Sequence, residues 1–329
     1  MCAFCYAMMQ EPQERPAIKT ESALNLLDDF AEIGVRGISL ISDGESTLSK
    51  AYVPFIQHAK EVGIDVGNAT NGWEWGEEKI EQVLPYLTWV RFTVAAGTPE
   101  GYAKIMYKGP EYTKVFDRAM ENIKYAVALK KRKSLKCTLG IQMVLMPEFE
   151  EEIIPFAKLA VDLGVDYGVI KHCSDDEQGT LGVDYDKYEP MFKKLEQAEK
   201  LSNEQTKIIV KWEKIKDKGK PSYSRFYGPQ FLLQISGSGL IAPSGMFFNA
   251  RYSKFHMGNF TEERFIDIFK SDRYQRIMQY LASPNFDAKT MMGTLPIQHY
   301  VSIALDNHAK GLEKIAQGKG EKPMHVNFL

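Results

Sequence analysis

The alternation of strand-like and helix-like stretches through the first half of the chain constrains its fold more than any other feature. Residues 21–34 (ESALNLLDDFAEIG) carry Leu24, Leu27, Phe30, Ala31 and Ile33 at helical spacing and stop at Gly34. Residues 37–42 then read as a short buried strand and 52–63 as an amphipathic helix. Residues 64–67 read as a strand that runs into the turn-rich Asn68-Ala69-Thr70-Asn71-Gly72. The pattern continues with a helix over 77–87, a strand over 89–94 and a long helix over 112–130. A strand over 138–145, a helix over 150–164 and a strand over 167–170 complete it. Such alternation requires right-handed βαβ units and a parallel sheet, either barrel-like or doubly wound. No Gly-x-Gly-x-x-Gly follows the first strand, so a dinucleotide-binding version has no support.

The character of the sequence changes further on. Residues 185–201 read as a last amphipathic helix, 207–212 as a strand, and Lys214 to Lys220 (KIKDKGK) as a charged linker. From Tyr223 the chain is rich in Gly, Ser, Pro and aromatics. Leu240 to Phe248 reads as a hairpin turning at Ser244-Gly245. Helices are expected over 264–270, 274–282 and 298–315, then a polar tail. These changes suggest a barrel-like domain over 1–205, a smaller α+β module over 206–305, and a helix end with its tail over 306–329.

Composition narrows the function classes. The chain has 329 residues, 44% hydrophobic and 26% charged, which is ordinary for a folded protein with a sizeable core. A net charge of −2 gives no global field that would draw nucleic acid or an anionic membrane surface. No apolar run is long enough to cross a bilayer and no signal-peptide pattern opens the chain, so a cytoplasmic location is expected. Four cysteines are too few for a disulfide scaffold.

In a strand–helix fold, chemistry collects in loops at the carboxyl ends of the strands. Cys2-Ala3-Phe4-Cys5-Tyr6 is a loop of that kind. By itself Cys-x-x-Cys is a redox pair, half of a zinc site, or chance. Three other stretches fall where strands end: Ser42-Asp43-Gly44-Glu45-Ser46-Thr47, Ala69-Thr70-Asn71-Gly72, and Arg91-Phe92-Thr93-Val94.

Taken in order, these stretches resemble the radical S-adenosylmethionine (SAM) superfamily. Cys2 and Cys5, with Phe4 between them, are similar to the last two cysteines of its Cys-x-x-x-Cys-x-aromatic-Cys signature. The first cysteine would fall two residues before Met1, after a first strand further upstream. The resemblance implies a partial (β/α)6 TIM-like barrel lacking its first strand here, with Cys2 and Cys5 as ligands of a 4Fe–4S cluster. Phe4 would then pack beside the adenine of SAM. The Gly44-Glu45 pair is similar to the Gly-Gly-Glu-Pro-Thr motif that receives the SAM amino group, with Asp43 and Ser46 departing from it. Asn71 is either a turn residue or a ligand. Thr93 takes the place of a serine near the SAM ribose and carboxylate, and Gln142 is a further polar contact.

The module after Tyr223 resembles the SPASM extension in Ile241-Ala242-Pro243-Ser244-Gly245, Met257-Gly258-Asn259-Phe260 and Phe265-Ile266-Asp267-Ile268-Phe269. That extension holds auxiliary clusters through several cysteines, and no cysteine here lies beyond Cys173, which excludes such clusters by ligand count. The resemblance implies reductive cleavage of SAM and hydrogen abstraction by a 5′-deoxyadenosyl radical. It further implies an electron donor such as flavodoxin or ferredoxin and a small-molecule, peptide or protein substrate. With two cluster cysteines where the family has three, the chain as numbered is expected to hold a cluster poorly.

Lys171-His172-Cys173-Ser174-Asp175-Asp176 follows the last of the alternating strands, and the substrate would lie between this stretch and the second module. Cys173 beside Lys171 is either a reactive thiol on the substrate side or a buried inert one. Cys137 at a strand start reads as structural. Arg251, Lys254 and His256, interleaved with Tyr252 and Phe255, read as a solvated hairpin face. Two other functional readings stand beside the enzyme: a non-catalytic barrel that binds a ligand or partner, and a thiol-redox or zinc protein using Cys2 and Cys5.

Overall fold

The structure is a computed structural model that describes residues 2–5, 18–41, 43–107, 112–294, 297–314 and 325–328. Six parallel strands form one sheet in chain order: β1 (Gly37–Leu40), β2 (Asp65–Thr70), β3 (Leu87–Thr93), β4 (Thr138–Leu145), β5 (Tyr167–His172) and β6 (Lys207–Val210). Each strand pairs with the next in sequence and a helical connection returns the chain every time, as the alternation requires, in the partial TIM-like barrel that the family resemblance implies. At the centre, all eight residues of β4 are buried, as a parallel strand covered on both faces must be.

The helices between strands are α2 (Tyr52–Glu61), α3 (Glu77–Val83), the short α4 (Pro99–Tyr102) running into a π-turn at Ala103–Tyr107, α5 (Thr113–Lys133), α6 (Ile153–Leu163) and α7 (Phe192–Glu199). The two faces of the sheet are distinguished by contacts at glycine. A Cβ on Gly168 would meet Ala160 and Phe156 of α6, so this position faces the helix layer. A Cβ on Gly140 would strike the Tyr167 ring at 2.3 Å, so Tyr167 lies across β4 on the opposite, inner face.

The chain divides into two compact units. The first holds residues 2–5, Gly37–Cys173 and Val183–Lys218, and ends with α8 (Trp212–Lys216) after β6. Where the sequence suggested a charged linker, α8 forms because Trp212 lies on Phe192 and Ile215 is buried. The strand over 207–210 belongs to this unit, parallel to β5, rather than to the module that follows.

The second unit combines residues 18–36, Ser174–Gly182 and the chain from Gly219 onward. It contains α1 (Thr20–Glu32), a three-stranded antiparallel sheet of β7 (Gln234–Ile235), β8 (Leu240–Ala242) and β9 (Gly258–Asn259), and the helices α9 (Phe265–Lys270), α10 (Asp272–Leu281), α11 (Ala288–Met291) and α12 (His299–Ala309). Helix α1 packs on α9 through Phe30 and Phe265, whose ring centroids are 4.7 Å apart edge to face. Buried Asp29 accepts hydrogen bonds from Arg264 and from the Ile266 N–H.

The hairpin in this unit differs from the sequence reading. Its turn is Ser236–Gly239, where Gly239 takes φ +86° and the Ser236 hydroxyl accepts from the Leu240 N–H. The stretch Gly245–Phe248 is instead a 3-10 turn, because Pro243 has no N–H to give a ladder and the apolar Met246, Phe247 and Phe248 are all buried. Residues Ala250–Phe255 are likewise helical, and Arg251 is an ion-pair partner of Asp176 and Glu177 rather than part of a solvated hairpin.

Candidate active site

Glu45 is anchored by several hydrogen bonds at the carboxyl ends of β1 and β2. It follows β1, and its Oε1 accepts from the Thr47 hydroxyl at 2.9 Å and from the Thr70 hydroxyl at the end of β2 at 2.7 Å. Its Oε2 accepts the Asn71 N–H at 2.8 Å. The carboxylate therefore ties two adjacent strand ends together, while Oε2 keeps capacity for another donor. The Asn71 side chain is used locally, its Oδ1 accepting the Trp73 N–H at 2.9 Å in an Asx turn. Gly44 beside it is exposed, with nothing within 4 Å of where a Cβ would stand.

The cysteine turn is short and half-buried. The Cys5 N–H donates to the Cys2 carbonyl at 3.1 Å, and the Ala3 N–H donates to the Ile105 carbonyl at 2.9 Å in the π-turn after α4. That support is itself held by Glu152. Its Oε2 accepts the Gly97 and Thr98 N–H groups at 2.9 and 3.0 Å, and its Oε1 accepts the Thr98 hydroxyl at 2.7 Å. Thr98 caps α4 in turn. Glu152 is thus a positioning residue for the loop that carries the cysteines, and no sequence motif marks it.

Burial, and then the charge of Cys5, push the Cys2 thiol up to about 11. Two crowded thiols resist ionising together, and a bound metal centre reverses that by holding them as thiolates. The donor set is soft sulfur on a single turn, which fits two positions of an iron–sulfur cluster. Among the described residues no group of three or more metal-binding side chains stands together. The open space over Gly44 and the free capacity of Glu45 Oε2 fit an ammonium-bearing ligand such as SAM.

Thr93 and Gln142 are register partners on β3 and β4, half-buried and buried respectively. The Gln142 carbonyl also accepts the Val94 and Ala95 N–H groups, which shapes the end of β3 where Ala95 adopts φ +61°. Phe4 is half-buried inside the cysteine turn. At the end of β5, Lys171 is half-buried and Cys173 buried, with the Cys173 N–H donating to the Leu145 carbonyl and to the Tyr188 hydroxyl. His172 between them is neutral: burial, and then the Lys214 charge, pull it down to about 3. Its Nδ1 carries the proton, since the partner at 2.5 Å is the Cys173 carbonyl. Cys137 is buried and its thiol is pushed up to about 12 by desolvation.

The site thus draws together Glu45 with Thr70 and Asn71, and Thr93 with Gln142. Thr70 and Glu152 carry much of this geometry without having been singled out. For Thr70 the Thr-Asn-Gly stretch was a visible signal, whereas the Glu152 contacts span more than fifty residues.

Comparison with known proteins accords with this geometry. Residues 1–160 match the Radical SAM superfamily model. No curated protein matches the chain in sequence. Among solved structures, Streptococcus suis SuiB bound to S-adenosylmethionine shares the fold with a TM-score of 0.62 at 16% identity, over 85% of this chain and 64% of SuiB. The same SuiB bound to precursor peptide SuiA gives a TM-score of 0.61 at 16% identity, over 84% of this chain and 63% of SuiB. Native anSMEcpe with bound AdoMet gives 0.57 at 12% identity, over 94% of each chain. This chain therefore spans a little under two thirds of SuiB. Residues 1–160 are therefore similar in sequence to the radical SAM superfamily, and the chain shares the fold of SuiB and anSMEcpe.

Proposed function

We propose that this protein is a radical SAM enzyme whose cofactor site lies at the carboxyl ends of β1 to β5. The observation that carries this reading is the Glu45 carboxylate, fixed by Thr47, Thr70 and Asn71 beside an open Gly44, within a chain similar to this family. Glu45 Oε2 and neighbouring backbone carbonyls would receive the SAM ammonium, and Gly44 would let the ligand approach the backbone. Thr93 and Gln142 would face the ribose and carboxylate, and Phe4 the adenine. Cys2 and Cys5 would supply thiolates to a 4Fe–4S cluster. When bound, that cluster and SAM together supply the hard chemistry, a one-electron cleavage that yields a 5′-deoxyadenosyl radical able to take hydrogen from a substrate.

Lys171 and Cys173 form the substrate side of the site. A peptide substrate is supported by analogy with SuiB, which has been seen with its precursor peptide, and with anSMEcpe, which has been seen with a peptide. A small flavodoxin or ferredoxin would deliver the electron.

The test is anaerobic reconstitution with iron and sulfide of the protein expressed from its complete reading frame, followed by reduction in the presence of SAM. Bound iron, with 5′-deoxyadenosine released by wild type and lost in Cys2→Ala, Cys5→Ala and Glu45→Ala, is the expected result. A protein that holds iron but releases no 5′-deoxyadenosine, or one that holds no iron, overturns the reading.

A further inference from the structure

The two loops that Glu45 joins from the front are joined from behind by a lysine. Lys79 stands in the first turn of α3, directly after Glu77 and Glu78. It is half-buried, and its Nζ donates to the Thr47 carbonyl at 2.9 Å and to the Glu74 carbonyl at 3.5 Å. The first carbonyl belongs to the 3-10 turn Ser46–Leu48 after β1, of which Glu45 is the N-cap. The second belongs to the loop that leaves β2 through Thr70 and Asn71. The Thr47 hydroxyl donates to Glu45 Oε1 at 2.9 Å, so buried Thr47 links the lysine to the carboxylate through a single residue.

Local preference does not account for a lysine at this position. The positive end of the helix dipole and the unpaired N–H groups of a first turn favour acidic or capping side chains there. Among the described residues the hydrogen-bond partners of Lys79 are these two carbonyls and no carboxylate. An ammonium carries three donors and no acceptor, so it suits a place where carbonyls of separate segments must be drawn together. The loop after β2 is held on another side by buried Asn122 of α5, whose Nδ2 donates to the Gly72 carbonyl at 2.8 Å and to the Trp73 carbonyl at 3.2 Å. Asn122 fixes that loop to its helix, and Lys79 carries the turn after β1 to the same support.

We propose that Lys79 is a positioning residue for the SAM site. It holds the turn that carries Glu45 against the loop after β2, so that the carboxylate has one geometry before the SAM ammonium arrives. A group fixed in advance costs no ordering when its ligand binds. Lys79 acts through Thr47 and touches neither the ligand nor the reacting atoms. The inference rests on the reading of Glu45 as the acceptor of the SAM ammonium.

The experiment compares wild type, Lys79→Met, Lys79→Arg and Lys124→Met as full chains. Methionine keeps an apolar stem and removes the donors. Lys124, exposed on α5, controls for the loss of one positive charge. Two quantities are read: hydrogen exchange over residues 44–49 and 70–75 of the iron-free chain, by mass spectrometry, and the equilibrium dissociation constant of the reconstituted protein for SAM. Lys79→Met is expected to exchange both segments about tenfold faster and to bind SAM about tenfold more weakly, with its melting temperature little changed. Lys79→Arg keeps a cation with donors for both carbonyls, and it and Lys124→Met are expected to stay within about twofold of wild type. Unchanged exchange in Lys79→Met overturns the role. So does unchanged SAM affinity where Glu45→Gln loses it, or a fall in SAM binding that only follows a fall in folded protein. A wild type that binds no SAM overturns the functional reading and this role with it. Exchange, read without iron or SAM, tells that failure apart from a failure of Lys79 to hold the loops.

Discussion

The Thr70 hydroxyl donates to Glu45 Oε1 at 2.7 Å, joining the end of one strand to the loop after its neighbour. Register makes this possible: β1 and β2 pair in parallel from Gly37 and Asp65 onward, so their carboxyl ends emerge side by side. Thr70→Val keeps the shape and removes the donor. Its dissociation constant for SAM should rise about tenfold, in line with a hydrogen bond to a charged group. Glu45→Gln should raise it further, because the ammonium loses its counter-charge. Equilibrium binding of SAM measures both.

Glu152 should matter to a site that it does not touch. Glu152→Gln leaves one former acceptor as an NH2 group facing backbone donors, and stability should fall by about 1–3 kcal/mol. The loop from Gly97 to Ile105 would loosen, and with it the carbonyl that holds Ala3. Urea unfolding reports the first effect. Iron retained per chain after reconstitution reports the second, and a merely structural role would leave that ratio unchanged in the folded fraction.

The cysteines should separate by reactivity. Cys137 and Cys173 are buried, so iodoacetamide should modify them only after denaturant is added. Cys2 is half-buried with its thiol near 11. Its alkylation should be slow at pH 8 and accelerate about tenfold per pH unit toward 10, following the thiolate fraction. Peptide mapping by mass spectrometry resolves the sites.

Lys214 makes stability depend on pH. Its folded value near 8 lies below the ordinary 10.5, so between these the unfolded chain binds more protons and stability rises with pH. Below pH 8 both states are protonated and the penalty is present in full. Lys214→Met should therefore be more stable than wild type at pH 7, by of order 1–3 kcal/mol, and this advantage should shrink as pH rises toward 10. Taking the difference between the two proteins removes the opposing contribution of Cys2. Arg91 and Lys211 add to the depression of Lys214, and the Cys173 thiol opposes it.

Sequence marked the strands best where burial was uniform. The span Thr138–Leu145 was legible to the residue because every position on β4 is covered and apolar residues dominate it. It marked least where charge and structure disagree. Lys214 sits in a run rich in lysine, yet Trp212 and Ile215 three positions apart anchor a helical turn beneath it. The hairpin was displaced because Ser244-Gly245 and Ser236–Gly239 are both turn-forming, and only pairing of β8 with β7 and β9 selects the second. Gly44, Glu45 and Asn71 could be picked out by motif. The service that Thr70 and Glu152 give them depends on contacts that form only once distant strands are parallel and in register.

Helix α1 precedes β1 in sequence but packs on α9, and residues Ser174–Gly182, between β5 and β6, also belong to the second unit. The chain therefore leaves the first unit and returns to it twice before it leaves again at Gly219. A fragment starting at Gly219 would lack Phe30 and Asp29, which cover Phe265 and hold Arg264, and the Asp176 and Glu177 carboxylates that hold Arg251. The two units cannot be parted by any single cut of the chain.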